Sequence, residues 1–338
     1  MKIAVFGLGF MGSTHLKALA ALPQAELAAV MDFNEARLSG DLSDIQGNIG
    51  GPGQRMDFSS VARYRSWQEA LRDPAIEAVD ICLPTCLHAP VALGALRAGK
   101  HVLTEKPMAL NGAHCDEMIA EAGRQKRVLM VAQVLRFIPS YQRLSELVRS
   151  GRLGTVRSAV FRRRGAAPAW GPWEFDPAQS GGGIFDLLIH DVDMCLHLFG
   201  VPPEVCALGY ENVPAGIDSI VAHLHYPDLG PVTITGGWHH IGSYPFSMEY
   251  TVVGDGGAVE YSSAGRPAKF YRADGECEAL AEPELDWYRA EIEYFLECCR
   301  TGSAPALCPP EESAQAVKLV LLLLESRKRN GEKLPCNF

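Results

Sequence analysis

Lys2-Ile-Ala-Val-Phe-Gly-Leu-Gly-Phe-Met-Gly12 opens the chain. A short apolar run feeds into Gly7-x-Gly9-x-x-Gly12 and then into an amphipathic segment, the order strand, tight turn, helix. A dinucleotide's pyrophosphate needs backbone N–H groups at close range and the positive end of a helix dipole, and side chains at the turn would block it. Glycine at 7 and 9 clears that approach, and Gly12 lets the helix pack tightly on the strand. Phe10 and Met11, within the turn, count among the expected cofactor contacts. A second run, Glu26-Leu-Ala-Ala-Val-Met31, ends in Asp32, 20 residues past Gly12. An acidic side chain there accepts hydrogen bonds from both ribose hydroxyls and repels a 2′-phosphate, so NAD is the expected cofactor. Arg37 is close enough in sequence to offer that phosphate a partner, which keeps NADP as the alternative.

Strand-like and helix-like segments alternate over the first 130 or so residues, the pattern of a doubly wound parallel sheet. Residues 39 to 60 interrupt it with a polar stretch rich in glycine (Gly47, Gly50, Gly51, Gly53) that reads as an insertion. The winding resumes with Val61 to Tyr64, Ala78 to Leu83, His101 to Thr104 and Val128 to Ala132 as strands. Helices are expected near Trp67 to Arg72, Pro90 to Ala98 and Ala113 to Gln125. Beyond Phe137 one long apolar helix, Ile184 to Phe199, is followed by strand-like runs around 205–209, 217–226, 231–238, 247–253, 257–262 and 268–272. Strands in succession imply an antiparallel sheet, so an α/β dinucleotide-binding domain over 1–132 is followed by an α+β domain over 133–338. Helices near Leu285 to Cys299 and Pro310 to Arg329 close the chain.

Composition fits two domains: 338 residues exceed what one hydrophobic core usually serves, and 47% apolar with 21% charged residues is ordinary globular usage. A formal charge of −9 argues against nucleic acid or an anionic membrane as partner. The ten cysteines are scattered and lack any C-x-x-C pair, so they read as reduced thiols. A zinc site from Cys82, Cys86 and a histidine lacks a ligand spacing, and no metal is expected. No signal peptide or membrane span is visible, which points to the cytoplasm.

Thr104-Glu105-Lys106-Pro107 follows directly on an expected strand of the nucleotide-binding sheet, and ligands sit beyond the carboxyl ends of such strands. The bond to Pro107 restricts Lys106 to extended backbone. A lysine beside a nicotinamide and a substrate hydroxyl hydrogen-bonds the reacting oxygen. On the helix introduced by Gly181-Gly-Gly183, a projection at 100° per residue gathers Asp186, His190, Asp193 and His197 into one polar stripe. Apolar residues fill most of the rest, with Asp191 breaking that side. Such a helix is buried, so the stripe should face a polar cavity or form a network. Asp186 and His190, four apart, can pair as carboxylate and imidazole, with the imidazole poised as a general base.

These segments together resemble the Gfo/Idh/MocA family, the relatives of glucose-fructose oxidoreductase and inositol dehydrogenase, over nearly the whole chain. The resemblance rests on Gly7 to Gly12 with His15, Pro84-Thr-Cys-Leu-His88, Gly99 to Pro107, Arg136-Phe137 with Pro139, Gly181 to Asp193, and Gly254 to Glu260. It implies NAD- or NADP-dependent oxidation of a sugar or cyclic polyol hydroxyl. It also implies an open-faced antiparallel sheet that builds a homodimer or homotetramer. Carried onto this sequence, Lys106, Asp186 and His190 would be catalytic, with Pro84, Thr85, His88 and Glu105 along the cofactor. The glycine-rich segment 39–60 departs from the family's pattern.

The expected chemistry is hydride transfer. His190, oriented by Asp186, removes the hydroxyl proton while Lys106 stabilises the charge developing on that oxygen. Arg163, Trp170, Trp173, His239 and Tyr244 are candidates for substrate contact, since sugars offer hydroxyls to hydrogen-bond and C–H faces to stack on aromatics. Trp238 and Phe246 read equally as sheet core. Two other classes share the fold. One is a redox-neutral glycosidase or epimerase that oxidises its substrate transiently on a tightly held cofactor, and the other is a ligand-sensing regulator that has lost the chemistry.

Overall fold

The computed structural model describes residues 1–45, 47, 53–168 and 171–338. They form two compact units. One comprises residues 1–134, 168–173 and 286–314, and the other 135–167, 174–285 and 315–338. Two stretches distant in sequence therefore join the N-terminal unit.

The first unit is built on six parallel strands: β1 (Lys2–Phe6), β2 (Glu26–Met31), β3 (Ala62–Tyr64), β4 (Ala78–Ile81), β5 (His101–Glu105) and β6 (Leu129–Ala132), in the order β3-β2-β1-β4-β5-β6. The central strands are buried on both faces, which is why they read as nearly unbroken apolar runs. Asp80 is the exception, a fully buried carboxylate inside β4. The order reverses between β1 and β4, and ligands of such sheets bind outside the carboxyl ends of the strands at that switch point. Part of the 39–60 insertion is ordered by the bridge between Asp41 and Arg55, whose side chains also pair at 3.0 Å, and by backbone hydrogen bonds from the Gly53 N–H to Ile45 and from the Met56 N–H to Gly40. Gly50 and Gly51 of that stretch lie outside the described residues.

The second unit carries a nine-stranded sheet: β7 (Val156–Gly165), β8 (Glu204–Asn212), β9 (Ile217–His225), β10 (Val232–Trp238), β11 (Ser247–Gly254), β12 (Gly257–Ser262), β13 (Arg266–Arg272), β14 (Cys277–Ala279) and β15 (Leu334–Pro335). Its order is β14-β13-β12-β11-β7-β10-β9-β8-β15, antiparallel throughout except between β7 and β10. The reading of the sequence found the strands from β8 to β13 but missed β7, which sits fifth of the nine. Its sequence, Val156-Arg-Ser-Ala-Val-Phe-Arg-Arg-Arg-Gly165, has too many charges to look like a central strand. Alternation resolves this: Ala159, Phe161 and Arg163 face inward, and Val160 and Arg162 face out.

The helix over 184–199 also differs from expectation. Ile184–Leu188 winds as a π-helical turn, and the α-helix proper is Ile189–Phe199. A π turn holds more residues per revolution than 3.6, so the uniform 100° projection fails between Asp186 and His190. Such turns concentrate at functional sites.

Candidate active site

In the first unit the expected cofactor residues other than Glu105 follow the carboxyl ends of parallel strands: Gly7 to Gly12 after β1, Asp32 after β2, Pro84 to His88 after β4, and Lys106 after β5. Gly7 has φ +90°, and a Cβ there would stand 2.4 Å from the Cys82 carbonyl oxygen. A Cβ on Gly12 would fall 1.8 Å from the Gly7 oxygen, so both positions demand glycine. Gly9 is different, because its nearest neighbour would be the Arg37 Nη1 atom at 3.9 Å. That open space faces the first turn of the helix Phe10–Ala20, whose N-cap Gly9 offers no side-chain cap. A glycine cradle with uncapped helical N–H groups fits a pyrophosphate.

Asp32 is buried, its Oδ2 accepting from the Leu8 N–H at 2.6 Å and its Oδ1 from the Asn34 N–H at 2.7 Å. Those bonds fix the carboxylate's direction while leaving each oxygen a lone pair for a ribose hydroxyl. His88 spends both ring nitrogens on backbone carbonyls, Leu83 and Pro107, each at 2.7 Å. What it provides is a tie between the loops after β4 and β5. Thr85 is buried beside it and Pro84 half-buried.

Lys106 is half-buried at the end of β5, joined to Pro107 by a cis peptide bond. Its backbone N–H donates to the Glu105 Oε2 atom at 3.0 Å. Glu105, expected along the cofactor, turns instead into the interior, with Oε1 3.3 Å from the His15 Nε2 atom.

In the second unit Asp186 is half-buried and His190 buried. Asp186 Oδ2 accepts from the Trp238 indole N–H at 3.1 Å, so Trp238, which the sequence left open between site and sheet core, holds the carboxylate expected to orient His190. The Gly181-Gly-Gly183 turn explains how the two come together. A Cβ on Gly183 would lie 2.7 Å from the Trp238 ring, and one on Gly182 2.7 Å from the Asp218 Oδ2 atom. Asp218, on β9, receives the Ile184 N–H at 3.1 Å and the Arg327 guanidinium at 2.6 Å, and Arg327 also binds Glu211. Burial pushes the Asp218 carboxyl up, against the pull of Arg327. The triple glycine was the only sign in the sequence of this close approach.

The polar stripe itself divides. Asp193 is buried in a two-point ion pair with Arg136, at 2.7 and 2.9 Å. Asp191, which broke the apolar side, is likewise buried and grips Arg163 at 2.8 and 3.2 Å. Burial raises the Asp191 carboxyl against that pull. Arg163, a candidate substrate contact, thus faces the interior with its charge already matched. His197 sits half-exposed with the Arg149 guanidinium 2.6 Å from its Nε2 atom. His239 is exposed, and Tyr244 stacks on His240 at 3.8 Å and has the Arg164 guanidinium 5.5 Å from its ring centroid. Trp173 is half-buried in the first unit, and Trp170 lies outside the described residues.

The chain matches two family models: an oxidoreductase family with an NAD-binding Rossmann fold over residues 1–133, and the GFO/IDH/MocA C-terminal domain over 141–260. It is 28% identical to the myo-inositol 2-dehydrogenase of Thermotoga maritima, covering 98% of this chain and 97% of that protein. It is 30% identical to the mouse trans-1,2-dihydrobenzene-1,2-diol dehydrogenase, over 82% of this chain and 84% of the relative. Among solved structures, a levoglucosan dehydrogenase in complex with NADH and L-sorbose has the same fold, with a TM-score of 0.85 at 18% identity, covering 100% of this chain and 99% of that one.

Proposed function

Because this chain belongs to the Gfo/Idh/MocA family of NAD-binding oxidoreductases, we propose that it oxidises a secondary hydroxyl or hemiacetal of a sugar, sugar derivative or cyclic polyol. At family level it is an NAD(P)-dependent oxidoreductase acting on CH–OH groups. One observation carries the reading furthest. The glycine turn, the ribose acid Asp32 and the lysine Lys106 all stand at the carboxyl edge of one parallel sheet, on either side of its switch point. A dinucleotide laid across that edge has its adenosine over β2 and its reactive end toward β5, where Lys106 begins.

The nicotinamide, when bound, supplies the hydride acceptor. His190 takes the hydroxyl proton, and Asp186, held by Trp238, keeps the imidazole oriented. Lys106 donates to the substrate oxygen and stabilises its developing charge. The direction of Asp32 favours NAD over NADP, since a fixed carboxylate repels a 2′-phosphate.

The test is reduction of NAD and of NADP across a panel of inositols, aldoses and sugar acids, followed at the nicotinamide absorbance. At least one polyol or sugar should reduce NAD with higher kcat/KM than NADP. A silent panel together with a dinucleotide that survives purification would sink net oxidation in favour of redox-neutral chemistry.

The outer face of the nine-stranded sheet supports self-association into a homodimer or homotetramer. Val160, Leu208, Tyr210 and Val221 are exposed there, and cross-strand pairing places Leu208 beside Val221. A two-fold interface uses one patch twice, so a single charge is introduced on both sides. Leu208→Arg is therefore expected to shift the mass measured by light scattering toward the monomer with secondary structure unchanged; an unaltered mass rules this face out.

A further inference from the structure

An aspartate in the middle of a central parallel strand is costly, and Asp80 has no surface to reach. Its partner is His15, from the inward side of the helix Phe10–Ala20, with Nδ1 2.9 Å from the Asp80 Oδ2 atom. The other ring nitrogen lies 3.3 Å from Glu105 Oε1, and the second oxygen of Glu105 accepts the Lys106 N–H at 3.0 Å. Three contacts thus run from the core of β4 to the backbone of the residue we place on the substrate oxygen. We propose that Asp80 and His15 form a buried polar relay whose task is to hold the Glu105 carboxylate aimed at the Lys106 backbone, making His15 a positioning residue for the end of β5. The role given to Lys106 rests on the proposed function; the relay itself does not.

Charge accounting supports it. Two carboxylates on either side of one imidazole are stable only if that imidazole is cationic. Burial alone would pull His15 down, but the Asp80 carboxylate, 2.9 Å from Nδ1, more than offsets it and holds the imidazole well above its usual range. A further titratable group facing the ring is Tyr288, from the helix Trp287–Thr301, with ring centroids 6.0 Å apart. Burial pushes the Tyr288 hydroxyl up, so it stays neutral. Since the folded-state value is raised, the relay is intact below the ordinary imidazole range and through neutrality, and it fails as pH rises through the elevated value.

The His15, Asp80 and Cys82 donor atoms also lie within 4.8 Å of one another, the spacing of a metal site. A proton and a metal ion compete for the same His15 lone pair, so the metal content of the purified chain is one readout of the experiment.

The experiment is nitrogen NMR of the His15 ring in the full chain, with NADH affinity and kcat followed against pH, on the wild type, His15→Gln, Glu105→Gln and Lys106→Ala. The wild-type ring should be doubly protonated at pH 7 and should lose its proton only at alkaline pH. Glu105→Gln should bring that titration down toward the ordinary range, a readout that does not need the His15 variant to fold. His15→Gln should lose about 10- to 100-fold in kcat with little change in KM, and should lack the wild-type alkaline fall. Lys106→Ala should leave the His15 titration in place, so that failure of the lysine's role and failure of the relay give different results. A neutral imidazole at pH 7, an unmoved titration in Glu105→Gln, or one zinc ion per purified chain would overturn the relay.

Discussion

Lys106→Ala is expected to lower kcat by about 10²- to 10⁴-fold, the range over which a positioned acid, base or oxyanion donor acts. NADH should still bind, since the glycine turn and Asp32 that hold the nucleotide lie after other strands. Lys106→Arg should rescue little: the guanidinium keeps the charge but is planar and bulkier than the ammonium it replaces. Steady-state rates on the responsive substrate, paired with NADH fluorescence titration, separate turnover from binding. A variant turning over near the wild-type rate would remove the lysine from the chemistry.

Asp193→Ala is expected to cost about 3–5 kcal/mol of stability, because it removes the two-point carboxylate partner of the Arg136 guanidinium, a side chain with no solvent exposure. Denaturant unfolding followed by circular dichroism measures it. Replacing both partners, Arg136→Met with Asp193→Leu, should recover most of the loss, since an apolar pair of similar volume removes the unmatched charge. A single variant as stable as the wild type would mean that the pair contributes nothing. The same helix carries a second buried fork, Asp191 to Arg163, one residue from His190. Two such forks fix the rotation of Ile189–Phe199 and hence the direction of the imidazole.

The nucleotide-binding half was readable because its signals are local. Glycine spacing, apolar runs and an acid at a set distance are written within 32 residues, and parallel strands buried on both faces have no pattern to conceal. The helix ends came within a few residues for the same reason. In the second half the reading of Arg163 as a substrate contact met a guanidinium already matched by Asp191, and β7 passed unseen for the related reason that its buried arginine is neutralised from a helix 28 residues away. The stripe on the 184–199 helix lost its uniform phase at the π turn Ile184–Leu188 and divided, Asp193 turning to Arg136 and His197 to Arg149.

The sequence by itself determined the dinucleotide fold, the cofactor turn, the family and the identity of the ionisable residues available for chemistry. Tertiary structure alone decided which charges are spent on one another: Asp193 on Arg136, Asp191 on Arg163, and Asp80 and Glu105 on His15. The physical reason is that backbone preference and apolar periodicity act over a turn or a strand. The cost of burying a charge is met by a partner at any separation, provided that folding brings the two within 3 or so ångströms.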